Sequence, residues 1–182
     1  MWMLIIVAFY LLLPAYLANM APPVFGRLGL LKLLAKPIDG GRKWRGQYIF
    51  GTGKTWRGIL VAVIFGILGA GLQAWLFNYP YFEGISLVDY PSVWLIFGFL
   101  AGLGAILGDL AKSFFKRRIG VVSGGVWPVF DQLDFVAGFF LFTWCYAALF
   151  WQVVVAACLL TLVLHPLTNI IAYLLKLKKV WW

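Results

Sequence analysis

Residues 135–175 read FVAGFFLFTWCYAALFWQVVVAACLLTLVLHPLTNIIAYLL and contain no Asp, Glu, Lys or Arg. A helix needs roughly 20 apolar residues to cross the hydrocarbon core of a bilayer. The stretch is about twice as long as one crossing requires, so it predicts two membrane helices, divided near Trp151. Its apolar run is continuous rather than alternating, which disfavours transmembrane strands.

The rest of the chain has the same character. Of its 182 residues, 64% are hydrophobic and 12% charged, and the mean hydropathy is +0.94. Soluble domains are about 45–50% apolar and about 25% charged, so this chain has too few polar groups to cover its apolar surface in water. We therefore predict an all-α integral membrane protein with about five transmembrane helices in one domain, over residues 2–20, 59–77, 92–108, 133–151 and 153–175.

The positive charges fall into three segments. The chain has 15 Lys and Arg against 6 Asp and Glu, a net charge of +9. Eight of the positive residues lie in residues 21–58, four in residues 109–132, and the last three are Lys176, Lys178 and Lys179. Because Lys and Arg concentrate in cytoplasmic loops, we expect an outside N-terminus and a cytoplasmic C-terminus. The protein would then be a multi-pass plasma-membrane protein with two functional cytoplasmic loops, 21–58 and 109–132.

Three carboxylates lie at helix ends on this basic side. Asp109 ends the third span, while Asp131 and Asp134 precede the fourth with a spacing that shares one helical face. Carboxylates at a membrane boundary are costly unless they are paired or bind a metal. Their oxygens, with no His or Cys cluster nearby, suit one or two Mg²⁺ ions. In the alternative interpretation, Asp131 and Asp134 only favour a helix N-terminus and Asp109 pairs with Lys112.

Polar and basic residues continue from Asp109. Ser113, Lys116 and Arg117 follow it at offsets of four, seven and eight. If the third helix extends this far, all four residues share one stripe. A carboxylate followed by such an anion-binding stripe suits a phosphate substrate that carries Mg²⁺.

Residues 51–58 read GTGKTWRG and look at first like a phosphate-binding loop. The Walker A pattern requires Gly where this chain has Tyr48, and no strand pattern precedes the segment. A P-loop NTPase is therefore excluded. Glycines still let backbone N–H groups approach an anion, with Lys54 and Arg57 as counter-charges. A plain flexible linker is the alternative.

The segments GDL at 108–110, SFFKR at 113–117 and PVFDQLD at 128–134 resemble the signature of the membrane CTP:phosphatidate cytidylyltransferases. With KTWRG at 54–58 and the small size of the chain, they are most similar to the archaeal branch of that family, the CDP-archaeol synthases. Gln132 stands where the bacterial pattern has Arg, and residues 121–126 lack its Lys-Asp pair and its His. These departures favour an ether lipid over ester-linked phosphatidate as substrate.

The resemblance implies a reaction in which CTP and a phosphorylated dialkylglycerol, of the 2,3-bis-O-geranylgeranylglycerol 1-phosphate type, give a CDP-lipid and pyrophosphate. Asp109, Asp131 and Asp134 would hold Mg²⁺ and, with Lys116, be catalytic. The implied substrate-binding residues are Lys54, Thr55, Arg57, Ser113, Lys116 and Arg117. The expected partners are CTP, the ether lipid and membrane lipids, without nucleic acid, and the Gly-rich spans are compatible with self-association.

Three other functions remain open at this point. An ester lipid could be the acceptor in the same reaction, or a CTP-dependent lipid kinase could transfer the γ-phosphoryl group to an alcohol. A small ion transporter is the third. Transporter sites normally lie at mid-membrane, whereas all six acidic residues here lie in loops or at helix ends.

Overall fold

A computed structural model describes residues 2–122, 125–147 and 150–176. Lys178 and Lys179, used above to predict the orientation, lie outside these residues. Within them the chain is built mainly of helices, which confirms the predicted all-α class. The elements are α1 (Trp2–Arg27), β1 (Lys43–Trp44), β2 (Gln47–Tyr48), α2 (Trp56–Leu76), α3 (Pro80–Gly84), α4 (Tyr90–Arg118), α5 (Phe130–Thr143) and α6 (Trp151–Leu174).

Four helices are long and apolar enough to cross a membrane, namely α1, α2, α4 and α6. Helix α5 has 14 residues. At about 1.5 Å per residue it covers only about 21 Å, which is less than the hydrocarbon core of about 30 Å. It nevertheless runs antiparallel to α4, since Gly108 lies against Asp134 and Gly104 against Gly138. The predicted count of five membrane-crossing helices is therefore met by four long helices and one shorter helix, α5, among the described residues.

The fourth predicted span, 133–151, is wrong at both of its ends. Helix α5 begins at Phe130 and ends at Thr143. The N–H of Tyr146 donates to the carbonyl of Thr143 over 2.9 Å, which turns the chain there. No Gly or Pro marks this turn, so the end of α5 could not be predicted from the continuous apolar run.

Two other boundaries move outward. The first span was expected to stop before Pro22 and Pro23, but α1 continues to Arg27. Prolines are tolerated in membrane helices where neighbouring groups support the backbone, and α1 remains packed on α2 through Phe25 and Phe65, whose ring centroids are 5.6 Å apart. Helix α4 passes Gly108 and ends at Arg118. The predicted loops 21–58 and 109–132 are therefore shorter than expected.

Glycines set the closest helix contacts. On α4, Gly98 and Gly102 lie against the backbone of α2, while Gly104 and Gly108 lie against the backbone of α5. Small residues let membrane helices approach until dispersion contacts form along the backbones. Because both faces are filled within the chain, self-association stays a prediction that would need another surface.

The segment between α1 and α2 is compact. The carboxylate of Asp39 accepts hydrogen bonds from the N–H groups of Gly41 at 2.9 Å, Phe50 at 3.0 Å and Gly51 at 3.4 Å. The antiparallel hairpin of β1 and β2 lies between these donors. Asp39 thus ties together the loop that leads into Lys54.

Arg118, at the end of α4, fastens this hairpin to the helix. Its guanidinium donates to the carbonyls of Trp44 at 2.7 Å and Tyr48 at 2.8 Å. The same group lies 5.0 Å from the Trp44 ring centroid and 4.9 Å from that of Phe114. One side chain therefore joins the first loop to α4.

Candidate active site

Three carboxylates converge on one ammonium group, Lys112 Nζ. Its distances are 3.0 Å to Asp109 Oδ1, 3.2 Å to Asp131 Oδ1 and 2.7 Å to Asp134 Oδ2. Asp109 and Lys112 share one face of α4, whereas the other two aspartates come from the first turns of α5. The close crossing of α4 and α5 brings together the carboxylates that the sequence placed at helix ends.

Asp131 has a second lysine partner. Lys116 Nζ lies 2.9 Å from both of its carboxylate oxygens and also donates to the carbonyl of Gly125. The N–H of Trp127 donates to Asp131 Oδ2 over 2.6 Å. The side chain of Lys116 is only 7% exposed, so this pairing is largely shielded from water. Lys116 therefore secures the loop before α5 to α4.

Lys54 reaches the same group from the first loop. Its ammonium forms an ion pair with Asp109 Oδ2. The next residue, Thr55, caps α2, because its hydroxyl accepts a hydrogen bond from the N–H of Gly58 over 3.3 Å. Arg57 Nη1 donates to the carbonyl of Leu30 over 3.1 Å. The segment read as an anion-binding loop is thus the N-terminus of α2, held against α4.

We refer to Asp109, Asp131, Asp134, Lys54, Lys112 and Lys116 as the Asp–Lys cluster. It contains three aspartates and three lysines, whose exposed side-chain fractions run from 4% for Asp134 to 26% for Lys54. Buried charges are tolerated only when they are paired and hydrogen-bonded. The cluster satisfies this requirement with side chains from α4, α5 and the first loop and with backbone groups from the loop before α5. A substitution of one member therefore removes a partner from the others.

A cavity of about 770 Å³ opens beside the cluster. This lies within the range of about 300–1,000 Å³ usual for small-molecule sites. Most of the site residues predicted from the sequence line this cavity, and Pro22 and Pro23 of α1 form part of its wall. The sequence-selected residues along it are Lys54, Thr55, Arg57, Asp109, Asp131 and Asp134.

Helix α6 adds a polar edge that the sequence analysis did not select for the site. His165, Thr168 and Asn169 all line this cavity. The His165 ring stacks near Phe135 with centroids 6.5 Å apart, and its Nδ1 lies 3.5 Å from Asn169 Nδ2. Polar residues spaced by three and four on an otherwise apolar helix are the signal that could have identified them.

A second cavity, of about 760 Å³, also borders Lys112 and Asp134. Its remaining walls are almost entirely apolar and come from α4, α5 and the loop between them. The larger side chains among them are Leu107, Phe115, Trp127, Phe130, Leu133, Leu141 and Phe142. The charged cluster therefore stands between a cavity lined by both charged and apolar residues and one that is almost entirely apolar.

Ser113 and Arg117 have a different setting. Both are buried on α4, but neither belongs to the described lining of these two cavities. Arg117 Nη1 donates to the carbonyl of Val121. The predicted contact of these two residues with phosphate therefore stays a prediction. Lys112, rather than Ser113, is the residue one turn after Asp109 that contacts the carboxylates.

From the sequence, Lys112 is expected only as a partner for Asp109. That ion pair is present, whereas metal binding by the three aspartates stays a prediction. Its contacts to Asp131 and Asp134 cross between helices and could not be read from local spacing. The sequence feature that could have identified Lys112 as a site residue is its position one helical turn after Asp109, a carboxylate at the membrane boundary.

The donor set suits a hard divalent cation, since three carboxylates surround a point that a cation already occupies. Their present spacing fits the ammonium of Lys112. Among residues 2–122, 125–147 and 150–176, no three His, Cys, Asp or Glu side chains form a ready metal cluster. Metal binding by Asp109, Asp131 and Asp134 thus requires that Lys112 give up its position.

A bundle of long apolar helices with a charged cluster beside two cavities is the architecture of a multi-pass membrane protein. A family profile described as CarS-like CDP-archaeol synthase matches residues 1–182. The chain belongs to this family, and the resemblance noted from its motifs is confirmed.

Individual relatives agree with this assignment. Proteins named CDP-archaeol synthase from Methanosarcina mazei and Methanococcus aeolicus are 40% and 36% identical, covering 94% and 98% of this chain and 100% and 97% of their own lengths. A solved structure described as an intramembrane enzyme for archaeal membrane lipids biosynthesis is also similar. It has a TM-score of 0.73 and 30% identity, and the match covers 90% of this chain and 92% of the other.

Proposed function

We propose that this chain transfers a cytidylyl group from CTP to a phosphorylated dialkylglycerol ether lipid of the 2,3-bis-O-geranylgeranylglycerol 1-phosphate type. The observation that carries the proposal is the position of the Asp–Lys cluster at the junction of a cavity lined by both charged and apolar residues and an almost wholly apolar cavity. A lipid phosphate and a nucleotide triphosphate can meet at such a junction while the lipid chains stay in apolar surroundings. Membership of the CDP-archaeol synthase family supports the choice of both substrates.

In the proposed reaction an oxygen of the lipid phosphate attacks the α-phosphorus of CTP. A new P–O bond forms there, while the bond from the α-phosphorus to the oxygen bridging to the β-phosphorus breaks. The electron pair leaves with pyrophosphate, and the lipid becomes a CDP-lipid. The attacking oxygen is already anionic, so the reaction needs no strong general base. Catalysis therefore rests on positioning and on neutralising charge.

Cationic residues of the cluster and of the first cavity would carry out this neutralisation. Lys54 and Arg57 line that cavity, whereas Lys116 is buried behind Asp131 and is not in the described lining of either cavity. Preorganised positive groups stabilise charge as it shifts onto a leaving pyrophosphate. The apolar cavity along α4 and α5 would receive part of an isoprenoid chain.

We propose one or two Mg²⁺ ions as cofactors. Asp109, Asp131 and Asp134 would hold them, and the ions would neutralise triphosphate charge and help to orient it. The concentration of Lys and Arg around this end of the bundle supports a cytoplasmic active site in the plasma membrane, where CTP is available.

The direct test uses detergent-solubilised protein with Mg²⁺, radiolabelled CTP and either an ether-linked or an ester-linked lipid phosphate. Label from the cytosine ring should enter the ether lipid, with one pyrophosphate released for each lipid modified. Label entering only the ester lipid would reassign the acceptor. Transfer of label only from the γ-phosphate to a lipid alcohol would instead identify a kinase.

Two substitutions test the assignment of the site. Asp131→Asn and Asp134→Asn should each abolish turnover, because they remove a charge from the cluster that the substrates must share. Glu83→Gln is the matched control, since Glu83 is exposed at the other end of the bundle. Circular dichroism and gel filtration check folding, and full activity in either Asn variant would overturn the assignment.

A further inference from the structure

Lys112 occupies the point at which the three carboxylates of the Asp–Lys cluster meet. Its Nζ lies between 2.7 and 3.2 Å from one oxygen of each. Its side chain is 14% exposed. These contacts join α4 to α5 and make Lys112 the cation shared by the whole cluster.

The cluster pairs each of its carboxylates. Its three lysines contact its three aspartates, and every carboxylate has at least two hydrogen-bond or ion-pair partners. Asp109 pairs with Lys54 as well as Lys112. Asp134 also accepts a hydrogen bond from the N–H of Phe135 over 2.6 Å. A divalent cation added alone would therefore enter a site whose carboxylates are already paired with Lys112.

An ammonium and a divalent cation cannot share this point. Oxygen ligands approach Mg²⁺ to about 2.0–2.1 Å, closer than any of the Lys112 contacts, and like charges at such range repel strongly. Lys112 also borders both cavities, each of which exceeds 700 Å³. Its side chain therefore has room to leave the carboxylates without unfolding a helix.

We propose that Lys112 is the resident counter-ion of the carboxylates and exchanges partners when a divalent cation arrives. The cation takes the aspartates, and the Lys112 ammonium passes to the phosphate oxygens of the bound nucleotide. This second half rests on the proposed function. Metal alone then binds weakly, because it leaves Lys112 without an anionic partner. Metal with nucleotide binds tightly, because both cations are paired.

This exchange predicts reciprocal coupling between metal and nucleotide. CTP should tighten Mn²⁺ binding by about tenfold or more, and Mn²⁺ should tighten CTP binding by the same factor. The Mn²⁺ ion is a suitable probe because it shares the preference of Mg²⁺ for oxygen ligands and its free form gives an electron paramagnetic resonance signal.

The test compares Lys112→Met with the wild-type chain in detergent. Methionine is unbranched and has nearly the length of lysine but no charge. Without nucleotide, Lys112→Met should bind Mn²⁺ about tenfold more tightly than wild type, and the effect of CTP should fall below about threefold. Lys36→Met is the matched control, because Lys36 is exposed and outside the cluster. It removes the same net charge and should leave both values near those of wild type.

The measurement of Mn²⁺ binding without CTP tests by itself whether Lys112 is the counter-ion of the carboxylates. Unchanged or weaker Mn²⁺ binding by folded Lys112→Met would overturn that role. A second outcome is that Lys112→Met binds Mn²⁺ more tightly than wild type while CTP has no effect on Mn²⁺ binding by wild type. This outcome would support the counter-ion role of Lys112 but contradict CTP as the nucleotide substrate in the proposed function.

A second measurement needs no substitution at Lys112. Wild-type protein is treated with an amine-acylating reagent, with and without Mn²⁺, and Lys112 modification is followed by mass spectrometry. Mn²⁺ should increase the modification rate of Lys112, and adding CTP should lower it again. A rate that does not rise with Mn²⁺ under saturating metal would contradict displacement of the ammonium, even if the methionine variant failed to fold.

Discussion

Gly108 and Asp134 touch backbone to backbone where α4 and α5 cross. A Cβ atom at position 108 would overlap the carbonyl oxygen of Asp134. The same aspartate reaches Lys112, one turn further along α4, with its carboxylate. The width of a single glycine therefore sets the distance between the two helices that share the Asp–Lys cluster.

Gly108→Ala should lower both stability and activity. The added methyl forces α4 and α5 apart, and overpacking of this kind typically costs about 1–3 kcal/mol. Because Asp134 moves with α5, we expect cytidylyl transfer to fall by more than tenfold. Thermal unfolding in detergent and the labelled-CTP assay measure the two effects. Gly84→Ala is the control, because a Cβ at Gly84 meets nothing within 4 Å; equal losses in both variants would contradict the argument.

Arg118→Gln should loosen the first loop. The substitution removes two hydrogen bonds to the hairpin and the stacking on Trp44 and Phe114, interactions in which cation–π contacts alone contribute about 0.5–2 kcal/mol. Since this loop leads to Lys54, we expect a higher KM for CTP with a smaller change in kcat. Steady-state kinetics checks this.

Arg118→Lys serves as a discriminating variant, because lysine keeps the charge but loses the planar group that stacks and donates twice. It should behave more like the Gln variant than like wild type. A wild-type KM for CTP in both Arg118 variants would show that the contacts of Arg118 do not position the first loop. The exposed Arg42 provides the control, Arg42→Gln.

Asp39 should make the first loop sensitive to acid. Burial raises the pKa of this carboxyl group, but the N–H donors of Phe50, Gly41 and Gly51 more than offset that effect and hold the pKa below its ordinary value. Its stabilising contribution is therefore full above the unfolded value of about 3.9 and is lost as pH falls through the lower folded value.

The corresponding test compares wild type with Asp39→Asn across that range. At pH 7 the variant should be less stable and its first loop cleaved faster by protease. As pH falls through the lowered folded pKa, the difference in thermal stability should shrink, because Asp39 is then protonated in wild type as well. A difference that persists undiminished at low pH would mean that the charge of Asp39 is not its source.

Thr55→Ala should remove the cap of α2. Loss of such an N-cap costs about 0.5–2 kcal/mol, and fraying of the first turn displaces Lys54 and Arg57 beside the cavity. We expect a lower melting temperature together with a higher KM for CTP. Thr55→Ser keeps the hydroxyl that accepts from Gly58 and should restore both. If serine behaved like alanine, the methyl group rather than the cap would be responsible.

The apolar runs were sufficient to predict the membrane helices, because each needs an uninterrupted stretch of lipid-compatible residues. Helix ends were harder. Pro22 and Pro23 would stop an isolated helix, yet α1 passes through them because it stays packed against α2. The turn after Thr143 carries no glycine or proline, so nothing local distinguished it from continued helix.

For the site, the residue types at the helix ends indicated the three aspartates and Lys116. The ion pairs between residues far apart in the sequence could not be predicted in this way. Lys54 and Asp109 are separated by 55 positions, and Lys112 meets Asp131 only because two glycine-lined helices cross beside it. Local spacing can place residues on one face of a helix, but it cannot show which other helix that face meets.

The crossing of α4 and α5 at Gly104, Gly108 and Gly138 also bears on how such a chain can diverge. Backbone atoms rather than side chains fix the spacing there, so the lipid-facing residues of both helices are free to change. A lineage can then adapt its outer surface to a membrane of different thickness or fluidity while the carboxylates keep their positions. A side chain larger than that of glycine at any of these three positions would overlap the backbone of the facing helix.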